Sequence, residues 1–233
     1  MLEIKNMNVF YGKLHILWDL SLSIGNESIG LFGPNGAGKT TLINAILGLV
    51  KPASGEILFH GENILSVKTH EIIRKGIAVV PQERDLFPLM TVQENLRAGA
   101  SYVPAARNRI QERLEFCLTA FPQLKSRLKQ RAGTLSGGGQ RMVAIARALM
   151  ADPKLIILDE PTGGLQPSIV TELFHQLKEL KAHVSVLVAE QNVRQCLKAI
   201  DRGYLLENGR KMLEDSAEAL AGNDHIRRSY LGI

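Results

Sequence analysis

The stretch SIGLFGPNGAGKTTLINAILGL, Ser28 to Leu49, joins a short apolar run to a glycine-punctuated turn and then to a segment of helical periodicity. Inside it, GPNGAGKTT from Gly33 to Thr41 has the spacing GxxxxGK[ST]. That spacing makes a phosphate-wrapping loop when a strand precedes it and a helix follows. Both flanks are present here. Gly33, Gly36 and Gly38 let the chain turn tightly enough to aim backbone N–H groups inward, and Pro34, Asn35 and Ala37 complete the loop. The following helix adds the positive end of its dipole. Lys39 reaches the β- and γ-phosphates of a nucleoside triphosphate as a point charge, Thr40 offers a hydroxyl to Mg2+, and Thr41 supports the phosphates. The periodicity predicts a helix with Leu42, Ala45, Ile46 and Leu49 in one stripe, ended by Pro52 and Gly55.

Outward from this loop, LEIKNMNVFY, ILWDLSLSI and SGEILFHG alternate apolar and polar residues between turn residues and read as strands. IRKGIAVVPQ ends in another. From about Val92 to Lys129 the β-branched density falls, and Arg, Glu, Gln, Leu and Ala recur at helical spacing, which predicts a helical insert. Within it NRIQERLEFCLTAF, from Asn108, puts Ile110, Leu114, Cys117, Leu118 and Phe121 on one face and leaves Arg109, Glu112, Arg113 and Glu115 for solvent. Helix and strand alternate again through GGGQRMVAIARALMA, KLIILDE, IVTELFHQLKEL and HVSVLVAE, which implies a parallel sheet. RGYLLENGRKML turns on the hairpin pair Asn208 and Gly209, and the tail from about Asp215 reads as helical. The buried strand of KLIILDEPT delivers Asp159 and Glu160 at its C-terminal edge, where open parallel sheets bind ligands. Asp159 is placed to hold Mg2+, and Glu160 to orient and deprotonate an attacking water.

The chain has 233 residues, 45% apolar and 22% charged, enough for one α/β domain or two unequal lobes and incompatible with wholesale disorder. No apolar run approaches the roughly 18 to 20 residues of a membrane span. Glu3 and Lys5 stand where a signal peptide needs its apolar stretch, so the chain reads as soluble and intracellular. Cys117 and Cys196 have no CxxC and no histidine at metal-ligand spacing, and read as buried or incidental thiols. A net charge of +5 permits a polyanionic partner without choosing among ATP, DNA and a membrane face.

LSGGGQR, Leu135 to Arg141, lies between the phosphate loop and the paired acids and resembles the signature segment of ATP-binding cassette (ABC) ATPases, usually written LSGGQ. The resemblance covers nearly the whole chain. It implies an α/β P-loop NTPase of ABC ATPase cassette architecture, with a mostly parallel core sheet, an N-terminal antiparallel β subdomain and an inserted helical subdomain. One domain would span 1–233: the β subdomain and first part of a RecA-like core in 1–90, the helical subdomain in about 91–140, and the rest of the core with the tail in 141–233. In this family two cassettes pack head to tail, so Ser136, Gly137 and Gly138 would close over the γ-phosphate held by the facing subunit. The resemblance further implies ATP and Mg2+ as ligands, Tyr11 stacking on adenine, and Gln82 of VVPQ contacting Mg2+ and the attacking water. The outer surface of the helical lobe would meet membrane subunits.

Three positions depart from the family pattern. Gly139 holds the fifth signature position, usually Gln or Glu, and a helix starting on three glycines predicts local flexibility. Gln166 of TGGLQPS stands where an interfacial Asp is usual, which removes a charge and keeps hydrogen-bonding capacity. Gln191 of VAEQN replaces the usual histidine at the γ-phosphate; it donates a hydrogen bond but does not titrate near neutrality, which strengthens Glu160 as the base. EQN, AIDRGYLLENG and RRSYLG are similar to the second ATPase subunit of branched-chain amino acid importers, and GGLQPSI also resembles urea and short-chain amide importers. These likenesses imply a second ATPase subunit, with a homodimer compatible in isolation. They also imply two transmembrane permease subunits, an extracytoplasmic solute-binding protein, and a peripheral place on the cytoplasmic face of the membrane. Cassette ATPases of DNA repair or translation are the rival class; they usually join two cassettes or carry long coiled insertions, so no nucleic acid is expected. A non-enzymatic interaction module, suggested by Gly139 and Gln191, is separated from both by magnesium-dependent phosphate release.

Overall fold

Alternation of apolar and polar residues makes β1 (Leu2–Tyr11) and β2 (Leu14–Ile24) an antiparallel pair with one buried face. In β1 the buried set is Leu2, Ile4, Met7 and Val9, and its phase slips around Asn6, whose φ is 48°. This computed structural model describes residues 1–83 and 86–232. The next strand, β3 (Ser28–Phe32), is buried along its whole length and leaves the first layer. After it come α1 (Lys39–Ile46), β4 (Ser54–Phe59) and β5 (Glu62–Asn63), the two strands completing a four-stranded sheet of order β2-β1-β4-β5.

The remaining strands build a second sheet. The chain continues through α2 (Thr69–Lys75) and β6 (Ile77–Val80) into a helical lobe of α3 (Val92–Ala100), α4 (Pro104–Arg107) and α5 (Ile110–Ala120). Then follow α6 (Gly137–Leu149), β7 (Leu155–Asp159), α7 (Pro167–Leu180), β8 (Ser185–Glu190) and α8 (Val193–Cys196). The hairpin of β9 (Arg202–Glu207) and β10 (Arg210–Ser216), helices α9 (Ala217–Gly222) and α10 (Asp224–Ile226) and a π turn at Arg227–Leu231 finish it. The sheet order is β10-β9-β3-β8-β7-β6, parallel throughout except for the antiparallel edge strand β10.

Successive residues of the central strands serve opposite faces. Phe32, Ile156, Leu158, Val186 and Val188 pack with α6, α7 and the helical lobe, while Ile29, Leu31, Ile157, Leu187 and Ala189 pack with α1 and the four-stranded sheet. Both faces are covered, which is why β3, β7 and β8 read as unbroken apolar runs. The parallel register sets Val80 beside Leu158, Asp159 beside Ala189 and Phe32 beside Glu190. The loops after β3, β6, β7 and β8 therefore leave one edge of the sheet together.

Two local expectations are corrected. Helix α1 buries Leu42, Ala45 and Ile46 but ends at Ile46, well before Pro52; Gly48 then takes φ 70°, and Leu49 is 61% exposed. The turn at Gly48 supplies the left-handed residue that stops the helix and swings Leu49 off the stripe. In α5, which starts at Ile110, Arg113 is not a solvent residue: it ion-pairs with Asp152 at 2.7 Å and donates to the carbonyl of Leu149 at 2.9 Å. Its long stem crosses apolar surface to reach the end of α6, while Arg109, Glu112 and Glu115 are exposed.

Candidate nucleotide site

The loop from Gly33 to Gly38 is held open from below. Gly33 has φ 153°, and a Cβ there would lie 2.2 Å from the carbonyl oxygen of Leu206 in β9, so no side chain fits. The β9–β10 turn reinforces the loop, because the N–H of Gly209 donates to the carbonyl of Ala37 at 3.1 Å. Lys39 is 4% exposed and donates from Nζ to the carbonyls of Gly33 at 2.8 Å and Pro34 at 3.1 Å, with Glu160 Oε1 3.7 Å away. Burial pulls its ammonium pKa below the ordinary lysine value, against the pull of Glu160 and Asp159. A cation held among carbonyls and carboxylates at the start of a helix is poised to exchange those partners for phosphate oxygens.

Across the sheet edge, Thr40 Oγ1 donates to Asp159 Oδ2 at 2.9 Å. The other oxygen, Asp159 Oδ1, is buried without a partner among the described residues. Burial raises the Asp159 pKa, opposed by the Thr40 hydrogen bond and reinforced by Glu160. An orphaned carboxylate oxygen beside a hydroxyl is a donor set suited to a hard divalent cation, so the residues fit Mg2+.

Glu160 follows at φ 44°, a left-handed conformation unusual outside glycine, with its N–H on the carbonyl of Ala189 at 2.8 Å. Its Oε1 accepts from Gln191 Nε2 at 2.8 Å, and the same Nε2 lies 2.5 Å from Asn35 Oδ1. Gln191 thus bridges the phosphate loop and Glu160. Gln82 is exposed just beyond β6, next to β7 in the sheet.

The other expected residues are not in this cluster. Tyr11 is 47% exposed at the end of β1, on a hairpin whose Leu17 packs against Gly38 of the loop and whose Trp18 N–H donates to the carbonyl of Gly209. No hydrogen bond or ion pair among the described residues joins Ser136, Gly137 or Gly138 to residues 33–41. Ser136 caps α6 by accepting from the N–H of Gly139, so the amide of that third glycine is fastened at the helix start. Gly138 is buried, and a Cβ there would sit 2.6 Å from Ile169 Cγ2, so packing against α7 by itself favours glycine. Gln166 is exposed at the start of α7 and makes no capping bond.

Two site residues escaped the sequence reading. Arg141 is 2% exposed and donates to the carbonyls of Pro81 at 2.9 Å and Gln82 at 2.7 Å, fixing the backbone that carries Gln82. Its signal was an arginine three residues after Gly138 and four before Ile145, on the apolar stripe of α6. Glu190, 2% exposed, accepts the backbone N–H groups of Thr162, two residues past Glu160, and of Gln191 and Asn192. Its signal was a carboxylate closing an otherwise apolar strand. The thiols of Cys117, pushed up to about 12 by burial, and Cys196, also raised by burial, are inert. No helix among the described residues is long and apolar enough to cross a membrane.

Residues 17–163 match the family model described as ABC transporter. The chain belongs to the ABC transporter family. It is 43% identical over 234 residues to the high-affinity branched-chain amino acid transport ATP-binding protein BraG of Pseudomonas aeruginosa, covering 100% of both chains. Among solved structures it is similar to the ADP conformation of MJ1267, an ATP-binding cassette of an ABC transporter, at TM-score 0.87 and 29% identity, covering 100% of this chain and 99% of that one. It is also similar to the dimeric post-hydrolysis state of the cassette MJ0796 bound to ADP and Pi, at TM-score 0.80 and 27% identity, covering 93% and 99%. The chain is an ABC cassette of α/β P-loop architecture, an ATP-binding ATPase of a transporter.

Proposed function

We propose that this ABC cassette drives import of branched-chain or related hydrophobic amino acids, with Glu160 as general base. The observation that carries the catalytic part is the meeting of Lys39, Thr40, Asp159, Glu160 and Gln191 on one sheet edge. The solute assignment rests on full-length likeness to BraG. Residues Gly33 to Gly38 present backbone N–H groups to the phosphates, Thr41 supports them, and Tyr11 stacks on adenine. Lys39 gives up its carbonyl partners for the β- and γ-phosphates. Thr40, Asp159 and Gln82 would hold Mg2+, which would supply charge neutralisation at the phosphates when bound. Glu160 takes the proton of the attacking water, and Gln191 donates to the γ-phosphate while keeping Glu160 in place.

A second cassette completes the site, its Ser136, Gly137 and Gly138 facing the phosphate across a head-to-tail dimer. The dimeric state of MJ0796 supports that reading. Two permease subunits and an extracytoplasmic solute-binding protein complete the transporter, which places the chain peripherally on the cytoplasmic face. An apolar groove of about 650 Å3, lined by Val80, Phe87, Gly99, Tyr102 and Arg147 among others, lies between β6 and the helical lobe and suits a permease segment. The division into 1–90, 91–140 and 141–233 puts this groove where the core and the lobe meet. The test is ATP turnover by the assembled transporter with its binding protein loaded in turn with leucine and with urea. Stimulation by leucine is expected; stimulation by urea alone would transfer the chain to the urea and amide importers.

A further inference from the structure

We infer that Glu190 is a positioning residue that locks the Gln191 end of β8 to the loop after β7, so that the γ-phosphate contact and the general base move as one unit. Glu190 Oε1 accepts from the N–H of Thr162 at 2.9 Å, and Oε2 accepts from the N–H groups of Gln191 at 3.1 Å and Asn192 at 3.2 Å. Thr162 lies two residues past Glu160 and opens the segment that runs to Gln166 at the start of α7. On the other side of the same junction, Glu160 donates its N–H to Ala189 at 2.8 Å, and Gln191 Nε2 donates to Glu160 Oε1 at 2.8 Å. Residues 160–162 and 189–192 are therefore laced by main-chain, side-chain and carboxylate bonds into one closed ring.

The chemistry of the ring requires a carboxylate. Three backbone donors converge on a side chain that is 2% exposed, and only an ionised acid accepts from all of them while presenting no donor of its own. No ion pair to Glu190 exists among the described residues, so those N–H groups compensate its buried charge. Glu160 holds a left-handed φ of 44°, a conformation that persists only where surrounding bonds over-determine it. Glu190 adds its bond to Thr162, two residues beyond, to the bonds that Glu160 itself makes with Ala189, Gly163 and Gln191.

The inference rests on the roles proposed for Glu160 and Gln191, and the experiment separates the two. In the full-length chain, Glu190→Gln exchanges one acceptor oxygen for an NH2 that faces a backbone N–H. The expected result is a ten- to hundredfold lower kcat with KM for MgATP within threefold, partly restored in Glu190→Asp, which keeps the charge. The cycle with Gln191→Ala reads the coupling: Gln191→Ala alone slows turnover, and adding Glu190→Gln slows it less than threefold further. Additive losses, a Gln191→Ala rate equal to the native one, native turnover in Glu190→Gln, or a raised KM at native kcat each overturn the inference. If Glu190→Gln does not fold by circular dichroism, Glu190→Asp enters the same cycle under the same criteria. Native turnover in Glu160→Gln would instead remove the base assignment itself. An inactive Glu160→Gln beside an additive cycle removes only the role of Glu190.

Discussion

Glu160 carries the reaction only if its charge is used, since its geometry is already set by Gln191 and by the bond to Ala189. Glu160→Gln preserves shape and removes the charge that the proposed general base needs. Single-turnover phosphate release should fall by about 100-fold or more, the scale of general-base catalysis, while ATP binding persists; light scattering should then show an ATP-held dimer. Unimpaired release would exclude the assignment. At this scale the phosphate loop, Asp159 and Glu160 were legible because their chemistry needs particular residues at contiguous spacing. Glu190 and Arg141 were not. Their partners are backbone atoms of Thr162, Pro81 and Gln82, and main-chain atoms leave no residue signature.

Elements meet where side chains are excluded. Gly138 lies under Ile169, so Gly138→Ala forces α6 from α7 and should destabilise the fold by about 1–3 kcal/mol, the cost of overpacking. Thermal unfolding of Gly138→Ala beside Gly138→Ala/Ile169→Ala checks this: truncating Ile169 should recover part of the loss, and no recovery would exclude the contact as its cause. The tail is fastened by charge. Tyr230 donates to Glu207 Oε1 at 2.7 Å and His225 Nε2 lies 3.0 Å from it, so the carboxyl pKa is lowered first by Tyr230 and then by His225. A depressed acid stabilises the fold above its unfolded pKa of about 4.3, and that stability is lost as pH falls through the lower folded value. Amide exchange across Arg227–Leu231 should therefore quicken on acidification below that carboxylate range, and Glu207→Gln should remove the pH step. Exchange that is independent of pH after correction for intrinsic rates would contradict it. Strands β1, β2 and β4 were readable from alternation, β3, β7 and β8 from short apolar runs, and α1, α5, α6 and α7 from helical periodicity, whereas the short helices α2 and α8 were not read. The early end of α1 and the buried Arg113 were not, since both depend on what the helix packs against.

For the whole molecule, one sheet edge joins Lys39, Thr40, Asp159, Glu160 and Gln191, and none of these lines the groove between β6 and the helical lobe. Tyr102, 77% exposed at the rim of that groove, sits where a permease would seat. Tyr102→Glu should reduce recovery of the permeases in a pull-down by at least tenfold while the chain still binds ATP; full recovery would place the permease elsewhere. The order of phosphate loop, signature segment and paired acids along the chain was enough to assign the family, because each motif is local and works through adjacent residues. Spacing could not say that β3 lies between β9 and β8, or that β7 stands beside β8. Only that strand order brings Gln191 onto Glu160 and encloses Glu190 with three backbone donors. Ladder hydrogen bonds and burial on both faces choose strand neighbours, and they act between segments far apart in the chain.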